Sequence, residues 1–198
     1  MWDQRYAGEG FFYGKAPNDF LREVAGRIPK DAPVLCLAEG EGRNAVFLAE
    51  LGYDVTAVDQ SSVGLDKARS LAEERGVSVR TVVADLSEYA IEPEAWGGIV
   101  SIWAHLPPPL RRSVHAACVQ GLKPGGAFVL EAYTPRQLEY RTGGPPTAEL
   151  MMRLDELEEE LAGLAFDIAE EIDREVHEGS GHEGKSAVVR VLARKPGG

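Results

Sequence analysis

Apolar positions fall into short, nearly continuous runs separated by stretches with helical spacing. The segments "APVLCLAEG", "DVTAVDQS", "SVRTVVADL", "GGIVSIWAHL" and "AFVLEAYTP" have mostly apolar centres of strand length. Such runs are expected for strands covered on both faces. Between them, "RNAVFLAELGY" repeats apolar residues at Val46, Leu48, Ala49 and Leu51 and closes on Gly52, and "SVGLDKARSLAEERGV" closes on Gly76. "PPPLRRSVHAACVQGL" is a third helix, opened by prolines and followed by a "KPGG" turn. Upstream, Pro17, Asn18 and Asp19 start a helix in "APNDFLREVAGRIP" that Pro29 stops. Strand and helix in alternation predict an α/β, doubly wound, mostly parallel sheet with helices on both faces.

The tail departs from that alternation. "TAELMMRLDELEEELAGL" has the spacing of an acidic amphipathic helix, whose "DELEEE" run reads as a solvated face. "AFDIAEEIDREVHEG" and "KSAVVRVLARK" then flank the turn-rich "GSGHEG", so the sheet should end in an antiparallel hairpin. No linker or repeat interrupts the chain. At 198 residues it reads as one domain: 1–30 as N-terminal segment and first helix, 31–135 as ligand-binding core, 136–198 as loop, acidic helix and hairpin.

Charge narrows the partners. With 21 basic against 32 acidic residues the net charge is -11, which disfavours a surface for long nucleic acid. Cys36 and Cys118 read as buried thiols of a reducing compartment, and no cluster has metal-ligand spacing. The N-terminal stretch lacks a continuous apolar region and no segment reaches the length of a membrane helix, so the expectation is a cytoplasmic, soluble protein without a membrane partner.

Candidate chemistry centres on "VLCLAEGEGRNAVFLAELGYDVTAVD". Gly40 and Gly42 let backbone approach a ligand, and Asp59 ends the next strand, where a carboxylate can accept from both ribose hydroxyls. Gly40, Gly42 and Ala45 also satisfy the G-x-G-x-x-G/A dinucleotide pattern, which keeps an NAD(P)-dependent oxidoreductase as an alternative. Glu39 and Glu41 argue against it, because carboxylates would repel a pyrophosphate at a helix N-terminus and suit a cationic sulfonium ligand.

With "VLCLAEGEGRN", "VTAVDQS", "VVADL", "GGIVSIWAHLP" and "LKPGGAFVLEAYTP" in view, residues 2–195 resemble a class I S-adenosylmethionine-dependent methyltransferase. The likeness is to the small-molecule branch containing the tellurite-resistance and thiopurine or thiol methyltransferases. It implies a seven-stranded sheet with an antiparallel last strand, S-adenosyl-L-methionine as cofactor and a small-molecule acceptor: a thiol, a chalcogen oxyanion or a metabolite. A non-catalytic domain binding S-adenosylmethionine or S-adenosylhomocysteine is the other alternative.

By the same resemblance, Ala38, Glu39, Gly40 and Gly42 line the methionine moiety, Asn44 is a further cofactor-binding residue, Asp59 holds the ribose, and Gln60 and Ser61 flank the adenine. Asp85 accepts from the adenine amino group, Leu86 offers its N–H to the ring, and Ile102 and Trp103 close the methionine side. Cys36 stands where the family usually has an acidic residue and Ala38 where it has glycine; Glu39 is the candidate to take over the ammonium. The aromatic N-terminal segment (Trp2, Tyr6, Phe11, Phe12, Tyr13) is expected to cover the cofactor as a lid, with Tyr13 in contact with it. His105, after the fourth strand, is the candidate base, with Trp103 and Tyr133 beside the reacting methyl. His177 and His182, flanking the tail turn, are expected to have no site role.

Overall fold

The computed structural model describes residues 1–179 and 181–197. Seven strands form one sheet: β1 (Val34–Leu37), β2 (Val55–Asp59), β3 (Arg80–Val83), β4 (Trp96–Ile102), β5 (Leu122–Tyr133), β6 (Ala165–Glu178) and β7 (His182–Arg194). Their order is β3-β2-β1-β4-β5-β7-β6. Only β7 runs against its neighbours, antiparallel to both β5 and β6, while β1 to β5 pair in parallel. The chain reverses its direction of build-up between β1 and β4, which opens a crevice at their C-terminal ends.

The helices are α1 (Trp2–Tyr6), α2 (Asp19–Val24), α3 (Arg43–Glu50), α4 (Ser62–Glu74), α5 (Pro108–Gly121), α6 (Gln137–Tyr140) and α7 (Leu154–Glu160). Strand alternation sorts the core into two layers. Val34 and Cys36 of β1 pack with Phe20, Leu21, Leu48 and Leu65 of α2, α3 and α4. Leu35 and Leu37 face the other way, onto Val114 and Cys118 of α5, Leu157 of α7 and Leu161 just beyond it. Both cysteines are fully buried free thiols, and burial pushes both thiols up.

Local order differs from expectation in the tail helix. Helical spacing runs over 147–164, but the structure gives a short 3-10 turn (Ala148–Leu150), an extended break, and then α7. Tertiary contact overrides periodicity here: Met151 and Met152 are buried, and the Met152 N–H donates to the Tyr133 carbonyl at 2.9 Å. The "DELEEE" run is likewise only half solvated. Glu158 and Glu159 are exposed, whereas Glu156 and Glu160 clamp the buried Arg111 guanidinium at 2.9 and 2.8 Å, and His115 Nδ1 lies 2.6 Å from Glu160. These contacts bolt α5 to α7. α1, absent from the expected elements, lies over the ligand crevice.

Candidate active site

The turn after β1 is built from left-handed backbone at Ala38 (φ 49°), Gly40 (φ 61°) and Gly42 (φ 88°). Gly42 begins α3 without a side chain to cap it, and Glu39 fills that role. Its Oε1 accepts from the N–H groups of Asn44 (3.0 Å) and Ala45 (2.8 Å). Burial raises the Glu39 carboxyl to about 7, against the lowering effect of those amides and of Arg43. The N-terminus of α3 therefore already holds an internal carboxyl where a dinucleotide would seat its pyrophosphate.

Glu41 is also committed. Its Oε2 accepts from the Phe12 and Tyr13 N–H groups at 2.8 and 3.4 Å, and its Oε1 from Lys67 Nζ at 2.9 Å. Lys67 reaches on to the Gly8 and Gly10 carbonyls, so Glu41 and Lys67 together strap residues 8–13 across the turn. The acidic decoration thus has duties the sequence reading did not assign: one carboxyl caps a helix and the other pins the N-terminal strap.

Asp59 is buried at the end of β2, accepting from the Gly40 N–H (2.8 Å) through Oδ2 and the Ser61 N–H (2.8 Å) through Oδ1. Each oxygen retains a lone pair for a diol. Burial raises this carboxyl, opposed by the same two amides. Ser61 caps α4 by accepting from the Gly64 N–H at 3.0 Å, and its hydroxyl bonds Asp3 of α1. Gln60 is exposed. Asp85 is exposed as well, and accepts from the Ser87 N–H and hydroxyl, which hold its carboxyl below the usual range. Leu86 is half-buried next to it. Asn44 is turned to the chain itself, accepting from the Asn18 N–H at 2.9 Å.

Beyond β4, Ile102 is buried and Trp103 takes a left-handed conformation (φ 57°). Trp103 stacks on Tyr133 with ring centroids 4.4 Å apart and on His182 at 4.9 Å, and Tyr13 of the strap lies 4.7 Å from His182. Tyr133 is fully buried at the end of β5, its hydroxyl 2.5 Å from His182 Nδ1, and burial pushes its phenol up. His182 is buried too, which lowers it to about 3 and keeps it neutral. It packs among the same rings as Trp103, Tyr133 and Tyr13. His177 is exposed.

His105 does not offer a free nitrogen. Its Nε2 accepts from the Tyr133 N–H at 3.0 Å, which leaves Nδ1 to donate to the Trp103 carbonyl at 3.1 Å. Desolvation lowers it to about 4, and its two hydrogen bonds clamp the ends of β4 and β5, so neither nitrogen is turned free as a base would need.

Under this aromatic wall lies a buried ionic network. Glu178, at the end of β6, accepts from Arg43 (2.5 Å), Trp103 Nε1 (2.6 Å) and Asn18 Nδ2 (2.8 Å). Glu131 of β5 accepts from Asn18 Nδ2 (2.9 Å), Arg190 (2.7 Å) and Arg174. Removing one partner of such a network strands a buried charge, so these contacts lock β5, β6, β7, α2 and α3 in one arrangement.

Residues 34–126, the part of the chain carrying the β1 turn, Asp59, Asp85 and Trp103, match the methyltransferase domain family. This stretch is similar to methyltransferase domains, in keeping with the resemblance carried by the glycine turn and Asp59. It is 37% identical over 75 residues to the uncharacterized methyltransferase YbaJ of Bacillus subtilis, covering 38% of this chain and 28% of that one. It is 26% identical over 167 residues to a 2-heptyl-1-hydroxyquinolin-4(1H)-one methyltransferase of Mycobacteroides abscessus, covering 77% and 73%. The fold superposes on TehB from Haemophilus influenzae with a TM-score of 0.73 at 22% identity, covering 98% of this chain and 65% of that one. The chain thus spans less than a third of YbaJ and nearly three quarters of the quinolone enzyme.

The residues around this turn are compatible with an adenosyl ligand. A Cβ added at Gly40 would meet the Tyr6 hydroxyl at 2.5 Å, and one at Gly64 would meet the Tyr6 ring at 2.9 Å. Gly40 and Gly64 are therefore packed directly under the buried Tyr6 ring of α1, with Asp59 beside them. In an adenosyl complex Ala38, Gly40 and Gly42 would supply the close backbone, Asp59 the diol acceptor, and Asp85 and Leu86 the rim.

Glu178 and His182 were missed by sequence reasoning. The available signal was topological: a strand antiparallel to the sheet starts at the edge where the parallel strands end, which places the hairpin turn at the crevice. Among the described residues no helix is long and apolar enough to cross a membrane.

Proposed function

We propose that the protein transfers the methyl group of S-adenosylmethionine to a small acceptor held against Trp103, Tyr133, His182 and the strap. The observation that carries the reading is the juxtaposition of this buried aromatic wall with a β1 turn whose helix N-terminus is occupied by Glu39. Bound there, the sulfonium supplies an electrophilic methyl, and the reaction is an in-line displacement. The residues contribute alignment and exclusion of water, which in favourable cases supply about 7–11 kcal/mol.

Both His105 nitrogens are engaged by backbone groups and burial makes His182 a weak proton acceptor, so an acceptor that is already nucleophilic at neutral pH suits the site. Ring faces along the wall favour a planar or soft acceptor such as a thiol, a chalcogen oxyanion or an aromatic hydroxyl, in keeping with the hydroxyquinolone acted on by one relative. The net charge of -11 weighs against a polyanionic acceptor.

Two measurements test the proposal. At a hundred times its dissociation constant a ligand adds about 2.7 kcal/mol, which shifts a melt of this size by about 5–10 °C. S-adenosylmethionine and S-adenosylhomocysteine should do so, and NADH should not. A screen of thiols, selenite, tellurite and hydroxyquinolones with radiolabelled methyl donor should then show transfer. Cofactor binding with every acceptor silent favours a non-catalytic binding domain.

A further inference from the structure

Trp103 is the ring at the centre of the aromatic wall, and its orientation is fixed from two sides. Its N–H donates to the Glu131 carbonyl at 2.9 Å, holding the left-handed backbone. Its indole Nε1 donates to Glu178 Oε2 at 2.6 Å, which sets the rotation of the ring. The same Oε2 takes Arg43, the first residue of α3, at 2.5 Å, and Oε1 takes Asn18. The β1 turn leads directly into α3, so a single buried carboxylate ties the ring to the segment that cradles the cofactor.

Resting on the methyltransferase reading, we propose that Glu178 is a positioning residue: it holds the Trp103 indole so that its face is turned to the sulfonium methyl, and couples that face to the cofactor turn through Arg43. A purely structural carboxylate would matter equally for any ligand of the crevice. A positioning one matters for the charged methyl-bearing cofactor and not for its demethylated product, which lacks both the methyl and the positive sulfur.

The test is Glu178→Gln, followed by indole ¹⁵N–¹H spectra and by calorimetry with S-adenosylmethionine and S-adenosylhomocysteine. The protein has three tryptophans, so Trp103→Phe assigns the resonance. In Glu178→Gln the Trp103 indole proton should move upfield as its carboxylate acceptor is replaced by an amide. S-adenosylmethionine should weaken about fivefold, within the range of a lost aromatic face on a cation, while S-adenosylhomocysteine stays within twofold.

Equal weakening of both ligands, no change in either, or an unmoved resonance overturns the proposal. If Glu178→Gln fails to fold, Trp103→Leu removes the face and leaves every ion pair, and must give the same selective loss; an equal loss of both ligands overturns it. The wild-type titration reports separately: binding of neither ligand defeats the methyltransferase reading itself, and the proposal with it.

Discussion

Replacing Glu39 by glutamine should stabilise the protein above neutral pH and leave its stability unchanged near pH 4.5. Burial raises this carboxyl from 4.5 to about 7 because the site penalises its charge more than the Asn44 and Ala45 amides favour it. The unfolded chain loses the proton near 4.5, and the folded chain holds it until about 7. Folding takes up a proton in that window, so the contribution is fully present below 4.5 and is lost as pH rises through about 7. The rise corresponds to an upper value of about 3 kcal/mol, and about 1–2 kcal/mol is expected once solvent screening of a half-buried side chain is allowed for. Glutamine keeps a carbonyl oxygen for the two amides and cannot ionise. Urea unfolding of both proteins at pH 4.5 and 8.5 gives the comparison: equal stabilities at the lower pH and a lead of about 1–2 kcal/mol for the variant at the higher. A variant less stable than wild type at pH 8.5 would refute the reasoning, because the ionised carboxylate would then be capping α3 more strongly than burial penalises it. We propose that the ionised form also meets the methionine ammonium, in which case the same substitution weakens S-adenosylmethionine while it strengthens the fold.

Other expectations follow from single features. Ala38→Gly should raise stability by about 0.5–1 kcal/mol, since the left-handed backbone at φ 49° costs alanine more than the added chain entropy costs glycine; an unchanged melting temperature would show that the turn carries no strain. At Gly181 an added Cβ would lie 2.5 Å from both the Phe12 and Tyr13 rings, so Gly181→Ala should lift the strap and speed proteolysis within residues 1–14, and an unchanged cleavage rate would place the rings elsewhere. Arg111→Met should cost about 3–5 kcal/mol in urea unfolding, because it leaves Glu160 buried without its cation. A loss under about 1 kcal/mol would mean that His115 alone satisfies Glu160.

The strands were legible because their apolar runs end at Gly, Pro or Asp, and the sheet's parallel core followed from the helices between them. The turn after β1 and Asp59 were legible for the same reason: function sits where a strand meets a glycine turn. Three things were not. The duties of Glu39 and Glu41 depend on which amides stand opposite them, and those of Phe12 and Tyr13 arrive from nearly thirty residues away in sequence. His105 looked like a base by position, yet its two nitrogens are consumed by backbone groups whose placement only the closed sheet defines. His182 and Glu178 lie beside Trp103 because β7 is inserted between β5 and β6, a matter of strand order that local periodicity does not encode. The acidic helix was overdrawn because Met151 and Met152 are drawn inward by β5.

The insertion of β7 also shapes how the protein is made. Residues 182–194 leave the ribosome after β5 and β6, yet they fill the gap between those two strands. Until they emerge, the nascent chain presents two unpaired strand edges, one of them the apolar Phe128–Leu130 stretch, to any neighbouring polypeptide. Stalled translation or a premature stop within this segment should therefore send the product toward aggregation rather than toward a smaller, partly working enzyme.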